Sequence, residues 1–233
     1  MVSLQNIRYE SHFCDGFLIY EQFVITAAHC LEDKHKSTIR VVVGLHELQS
    51  FESSQIQYVE EMASHEMYDS VNILYDIGII KLRNPVKLSD TVSTICLPNS
   101  VDDANSVYGM YAILAGWGRI DKGTKDVLAT ELQEAILKIK NGELPCSSRE
   151  YDPRTVYCAI DTNKTEDANA CNGDSGGPLF IKLSDTWYAY GITSYITGKS
   201  GKNDATICLS DHPSYYTKIP LYLNWIAWKM STL

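Results

Sequence analysis

Val2 to Gln5 alternates apolar and polar residues, the two-residue period of a half-buried strand. His12 to Ile19 reads as its partner, and Phe17 to Ala27 runs on into a turn at His29. Arg40 to Gly44 is a β-branched strand. Ile56 to Ser64, Ile77 to Leu82 and Tyr188 to Tyr195 read as further strands. Asn84 to Ser106, with Pro85 and Pro98, reads as a crossover, and Tyr108 to Trp117 opens a second half. Two stretches break the strand pattern. Between Asp126 and Lys140, residues Leu128, Leu132, Ala135, Ile136 and Ile139 fall at helical spacing among good helix formers. Near the end, Leu221, Trp225 and Trp228 recur on one helical face within Pro220 to Lys229. Thr197 to Thr206 is a polar insertion.

The chain has 233 residues, 45% of them hydrophobic, enough for one large all-β domain or two small packed ones. A net charge of −9 argues against nucleic acid as a partner. No apolar run is long enough to span a bilayer, so no membrane partner is expected. Met1 to Gln5 alternates like a strand and lacks the charged segment and apolar core of a signal peptide. Seven cysteines with no Cys-x-x-Cys pair suggest an oxidising setting and a secreted, extracellular protein rather than a zinc site. Asn163-Lys164-Thr165 is a glycosylation sequon, consistent with secretion.

The chemistry concentrates in Ala170-Cys171-Asn172-Gly173-Asp174-Ser175-Gly176-Gly177-Pro178-Leu179. A serine hydroxyl is a poor nucleophile until a base takes its proton. It also needs donors for the oxyanion that forms, which backbone N–H groups in a tight glycine turn can supply. Upstream lie Thr26-Ala27-Ala28-His29-Cys30 and Tyr75-Asp76-Ile77-Gly78. The order His29, Asp76, Ser175 is that of one known Ser-His-Asp triad. On these motifs the chain resembles the chymotrypsin/trypsin family of serine proteases, from Val2 to about Trp228.

The resemblance implies an all-β fold of two packed antiparallel Greek-key barrels and a C-terminal helix. The expected divisions are an N-terminal barrel (1–95), a crossover (96–107), a C-terminal barrel (108–219) and the helix (220–230). It also implies a strand at about Leu132 to Lys138, overriding the local helical spacing, and leaves Asn141 to Arg149 as a short helix. In the implied mechanism Ser175 is the nucleophile, His29 the base, and Asp76 its orienting carboxylate. Gly173 and Ser175 donate to the oxyanion, and Ser194 supports Asp76. The substrate is a protein or peptide. The alternative is a non-catalytic homologue that binds a partner. The loop Leu45 to Gln55 matches a calcium-binding loop of some members, but its ligand positions hold Leu45 and Gln55. Neither a metal nor a cofactor is expected.

The family's primary pocket implies further roles. Asn169, the sixth residue before Ser175, stands at its base in place of the aspartate that selects Arg or Lys. Ser194, Tyr195 and Ile196 line one wall and Ser214 the other, with Gly198 an alternative to Ile196. Branched Ile196 in place of glycine narrows the space, so small or medium uncharged residues are expected before the scissile bond. Asp15 departs from the family's Cys-Gly-Gly at Cys14-Asp15-Gly16. The implied disulfides are Cys14–Cys30, Cys146–Cys158 and Cys171–Cys208. Cys96 is left over, and an odd cysteine in a secreted chain suggests an outside partner, here an N-terminal pro-segment bonded through Cys96.

Activation supplies the last expectation. Family members insert a new N-terminal ammonium, usually from Ile-Val-Gly-Gly, beside the aspartate before the catalytic serine, here Asp174. No Ile-Val-Gly-Gly precedes Val2. An unpartnered buried carboxylate is costly, so Asp174 is expected to point toward His12 backed by Ser3, as in inactive precursors, or to be disordered. The oxyanion hole would then be unformed and peptidase activity negligible.

Overall fold

The computed structural model describes residues 1–52, 54–120, 127–142, 144–146, 151–162, 169–197, 199–200, 206–208 and 211–233. Six strands close a first antiparallel barrel: β1 (Val2–Asn6), β2 (Ser11–Tyr20), β3 (Phe23–Thr26), β4 (Ile39–Val43), β5 (Gln55–Ser64) and β6 (Gly78–Leu82). Six more close a second: β7 (Tyr111–Gly116), β8 (Gln133–Lys140), β9 (Val156–Ile160), β10 (Pro178–Leu183), β11 (Thr186–Ile196) and β14 (Ser214–Lys218). The short pair β12 (Lys199–Ser200) and β13 (Thr206–Ile207) forms a separate ribbon within the polar insertion. Around the first barrel the order is β1-β2-β3-β6-β5-β4, and the second repeats it as β7-β8-β9-β14-β11-β10. In both, the third strand neighbours the sixth, which is the Greek-key departure from simple up-and-down order.

Each barrel owns a core. Val2, Leu4, Phe17, Ile25, Val41, Ile79 and Leu82 fill the first; Leu114, Leu137, Ile139, Tyr157, Leu179 and Tyr216 fill the second. The helical spacing between Leu128 and Ile139 loses to strand pairing. β8 is bonded to β7 on one side and β9 on the other, and Ala135, Leu137 and Ile139 point inward while Ile136 is 49% exposed. Burying an aliphatic side chain gains about 1.5–3 kcal/mol, against a few tenths per residue in helix propensity.

Two local expectations need correction. At 141–142 and 144–146 the chain bends and turns instead of forming a helix: Gly142 takes a left-handed φ of +68°, and Pro145 has no N–H to give a helix. Positions 143 and 147–150 lie outside the described residues, as do the sequon at Asn163 and the alternative wall residue Gly198. At the C-terminus a 3₁₀ turn, Ile219–Tyr222, precedes the helix α1 (Leu223–Thr232). The turn buries Ile219, Pro220 and Tyr222 and the helix Trp225 and Ile226, while Leu221 and Trp228 are exposed. The 3₁₀ geometry around Pro220 rotates Leu221 off the stripe. This segment seals the first barrel: Trp225 Nε1 donates to Glu66 at 2.8 Å, and Lys81 Nζ donates to the Leu233 carbonyl at 2.7 Å.

Candidate active site

The pairing of β3 with β6 sets Thr26 opposite Gly78. His29, just after β3, and Asp76, just before β6, therefore leave the same end of the first barrel. His29 sits within a tight turn closed by the Leu31 N–H donating to the Ala28 carbonyl at 2.9 Å. Tyr75, beside Asp76, takes a left-handed φ of +54°, strained for a bulky residue and braced by stacking on His65 at 5.0 Å.

Asp76 is fully buried. Oδ1 accepts from the His29 backbone N–H at 2.9 Å, and Oδ2 lies 2.8 Å from His29 Nδ1. Ser194, from β11 of the other barrel, donates its hydroxyl to Oδ2 at 2.5 Å. Thr217, from β14, donates to the Asp76 carbonyl at 3.0 Å. Burial opposes a charged His29, but the charge and hydrogen bond of Asp76, with the charge of Glu32, outweigh it and raise the imidazole above its ordinary value. The bond at Nδ1 leaves Nε2 as the free ring nitrogen.

Ser175 precedes β10 and is stapled across the seam between barrels. Asp15 N–H donates to the Ser175 carbonyl at 2.7 Å, and the Cys30 sulfur lies 3.6 Å from that oxygen. On the other side Gly176 N–H donates to the Thr193 carbonyl at 2.8 Å. Gly176 adopts φ +81°, and a Cβ there would lie 2.5 Å from the Asp15 carbonyl oxygen. No side chain fits where the two barrels meet so closely.

The disulfides Cys14–Cys30, Cys146–Cys158 and Cys171–Cys208 are formed. The first ties β2 to the His29 turn. A His29 ring nitrogen also lies within 4.8 Å of both of its sulfurs, but disulfide sulfurs offer a metal no thiolate. Cys96 is free and exposed. It borders a groove of about 590 Å³ lined by Ile19, Tyr20, Leu97 and Tyr188 among others.

Asp174 does not sit on His12, contrary to the sequence-based expectation. Its Oδ1 accepts from Gly118 N–H at 2.7 Å and its Oδ2 from Cys171 N–H at 2.8 Å. These two donors meet its charge, so it has no need of the imidazole. Burial nevertheless raises its carboxyl to about 6. His12 does pair with Ser3, Nδ1 to Oγ at 2.9 Å, but its Nε2 lies 3.0 Å from the Gly173 carbonyl. A donor is needed at that carbonyl, so Nε2 carries the proton and Nδ1 accepts from Ser3. Burial holds this neutral imidazole down to about 4.

Gly173 adopts φ +108°. The carbonyl of Asn172 accepts from Arg119 N–H at 2.9 Å. In a trans peptide C=O and N–H point in opposite directions, so the Gly173 N–H is aimed away from Arg119. Sequence reasoning missed Gly118 and Arg119, which fix this turn, and Thr217, which holds the Asp76 backbone: none belongs to a recognisable motif. The glycine after Trp117 was the one visible signal.

The residues expected to line the primary pocket lie on neighbouring segments. Ile196 stands opposite Ser214 across β11 and β14. Asn169 Nδ2 donates to the His212 carbonyl at 2.8 Å, just ahead of Ser214. Ser214 is buried and its hydroxyl lies 2.8 Å from that of Tyr216. Tyr195 stacks on Tyr215 at 4.5 Å.

A family model described as Trypsin matches residues 1–226. Duodenase-1 of Bos taurus is 37% identical over 93% of this chain and 78% of its own length. Mast cell protease 3 of Ovis aries is 36% identical with the same coverage. Chymotrypsin-C of Mus musculus is 34% identical over 98% of this chain and 83% of its own.

Proposed function

This chain belongs to the trypsin family of serine proteases, and from that premise we propose that it is a secreted endopeptidase acting on protein or peptide substrates through Ser175, His29 and Asp76. The observation that carries the reading is the buried Asp76 carboxylate, shared by His29 of one barrel and Ser194 of the other. It orients an imidazole through Nδ1 and leaves Nε2 free to serve as the base.

In the proposed cycle Ser175 Oγ attacks the substrate carbonyl carbon while His29 Nε2 takes its proton. Asp76 stabilises the imidazolium through Nδ1. The oxyanion accepts from the N–H groups of Gly173 and Ser175. His29 then gives its proton to the departing amine, and water repeats the sequence on the acyl-enzyme. Asn169, Ser194, Tyr195, Ile196 and Ser214 form the primary pocket. Asn169 stands at its base where a carboxylate would select Arg or Lys, and Ile196 fills space, so the residue before the scissile bond is small or medium and uncharged. The three disulfides support an extracytoplasmic location. Exposed Cys96 is proposed to bond an N-terminal pro-segment.

Profiling the processed protein on a broad peptide library, with fluorophosphonate labelling of Ser175, tests the reading. Cleavage after uncharged residues and labelling lost in Ser175→Ala are expected. No turnover and no labelling would overturn the endopeptidase. Fast cleavage after Arg or Lys, unchanged in Asn169→Ala, would overturn the pocket assignment alone.

A further inference from the structure

Asp76 is delivered by a strained piece of chain, and an aromatic cluster from the C-terminal segment grips that piece. Ile73 and Tyr75 take left-handed φ values of +52° and +54°. Such angles are outliers for branched or bulky residues, and they persist only where the surrounding structure enforces them. Backbone bonds close the loop: His65 N–H donates to the Ile77 carbonyl at 3.0 Å, and Ile77 N–H to the Tyr75 carbonyl at 2.8 Å. The Tyr75 side chain is held by other rings.

That ring lies nearly parallel to His65, at 5.0 Å and 14°. Tyr222 meets both edge-on, 5.5 Å from His65 and 6.4 Å from Tyr75. Trp225 packs on His65 at 5.3 Å. Stacked and edge-to-face pairs at such separations attract. Tyr222 and Trp225 are buried, and Trp225 is clipped to the same loop. Its Nε1 donates to Glu66 at 2.8 Å, and Lys229 pairs with Glu66 at 2.6 Å.

The residue after Tyr75 has no slack. The Asp76 carboxylate meets the His29 N–H, His29 Nδ1 and the Ser194 hydroxyl at 2.5–2.9 Å. A change of angle at Tyr75 swings the peptide that carries it. The brace works through rings rather than charge. Burial, with Lys229, outweighs the charge of Glu66 and lowers the His65 imidazole. His29 is raised instead, so His65 is neutral where His29 titrates. His29 faces the charges of Asp76 and Glu32, and so does the Tyr68 hydroxyl, which burial and those charges keep protonated. Replacing the neutral His65 ring removes no charge from this surround.

We propose that the C-terminal helix positions the catalytic carboxylate: Tyr222 and Trp225 press His65 onto Tyr75, and Tyr75 holds the Asp76 backbone at the angle that aims its carboxylate at His29 and Ser194. His65 is thus a positioning residue acting through Tyr75. Its effect on rate rests on the endopeptidase reading; its hold on Asp76 does not.

The test reads the His29 imidazole directly, by NMR of the ¹⁵N-histidine-labelled chain, beside kcat, KM and thermal unfolding. In His65→Ala the His29 titration is expected to move down toward the ordinary imidazole value by roughly half a unit or more, because a loosened carboxylate holds the proton less tightly. On the best library peptide kcat should fall by roughly five- to tenfold with KM unchanged, the scale of one lost aromatic pair. His65→Phe, which keeps a flat ring, should restore both. In a Tyr75→Gly chain, where glycine takes the left-handed angle freely and no ring is left to hold, His65→Ala should add nothing. Wild-type titration and kcat in His65→Ala, however far Tm falls, would overturn the proposal. So would a Phe variant no better than Ala, or effects of His65→Ala and Tyr75→Gly that simply add. Should His65→Ala fail to fold, Tyr75→Gly is compared with Tyr75→Phe: a downward shift in Gly alone supports the brace, and like behaviour overturns it. A His29 titration that moves as expected in a chain without turnover or fluorophosphonate labelling would uphold the brace and overturn the endopeptidase instead.

Discussion

Replacing Gly118 with alanine should dismantle the turn before Ser175 without touching a triad residue. A Cβ on Gly118 would lie 2.5 Å from Asp174 Oδ1 and closer still to Oδ2 and Cγ. The neighbour is a buried carboxylate with no free space, so Asp174 must leave its cradle. It forfeits the bonds from Gly118 N–H and Cys171 N–H. Hydrogen bonds to charged groups contribute about 1.5–3 kcal/mol each, so the loss is about 3–6 kcal/mol before relaxation. For a chain of this length each kcal/mol shifts Tm by roughly 2–4 °C, a fall on the order of 10 °C or more. With Asp174 displaced, the Gly173 N–H loses its aim, and one lost oxyanion donor lowers kcat about 10²–10³-fold. The assay is kcat on the best library peptide, with fluorophosphonate labelling and thermal unfolding in parallel. Gly109→Ala serves as control: Gly109 has φ +82° and nothing within 4 Å of a Cβ, so about 1–2 kcal/mol of backbone strain is expected with labelling unchanged. A Gly118→Ala chain that labels at the wild-type rate would refute the claim that Asp174 sets the turn.

Four further outcomes are expected. Activity should fall with decreasing pH through a His29 pKa above the ordinary imidazole value, because Asp76 favours the protonated ring; a pH–rate profile of kcat/KM reads it. Asp76→Asn should lower kcat by about 10⁴-fold, the loss typical of a triad deprived of its carboxylate, and move that acid limb downward. Asn169→Asp should add cleavage after Arg or Lys in the peptide library. Cys96→Ser should leave the unfolding free energy of the chain unchanged within about 0.5 kcal/mol, as for other exposed positions, since Cys96 makes no disulfide; thermal unfolding reads it.

The sequence by itself determined most of the strand runs and, through the resemblance its motifs carry, implied the two-barrel architecture and the proposed triad. Short alternating runs require strands because the two-residue period is a local property of extended backbone. The triad is readable because its motifs are contiguous in the chain: Ala-Ala-His-Cys, Asp-Ile-Gly and Gly-Asp-Ser-Gly-Gly-Pro each carry their own turn chemistry. The choice between helix and strand at 133–140 already lay beyond local information. The periodicity of Leu132, Ala135 and Ile139 is helical, and only β7 and β9 on either side make a strand the better solution.

The tertiary structure alone decided where Asp174 points. Its partners, Gly118 and Cys171, are backbone donors, and backbone N–H groups look alike in any sequence. Asp15 was visible as a departure from Cys-Gly-Gly, yet its meaning depends on distance. Asp15 and Asp174 lie far apart in the chain, and only the meeting of the two barrels at Gly116 brings their carboxyls to one point. Charge in a sequence is a count. In a dry seam between barrels it becomes an energy, set by who stands next to whom and by which donors the backbone happens to offer.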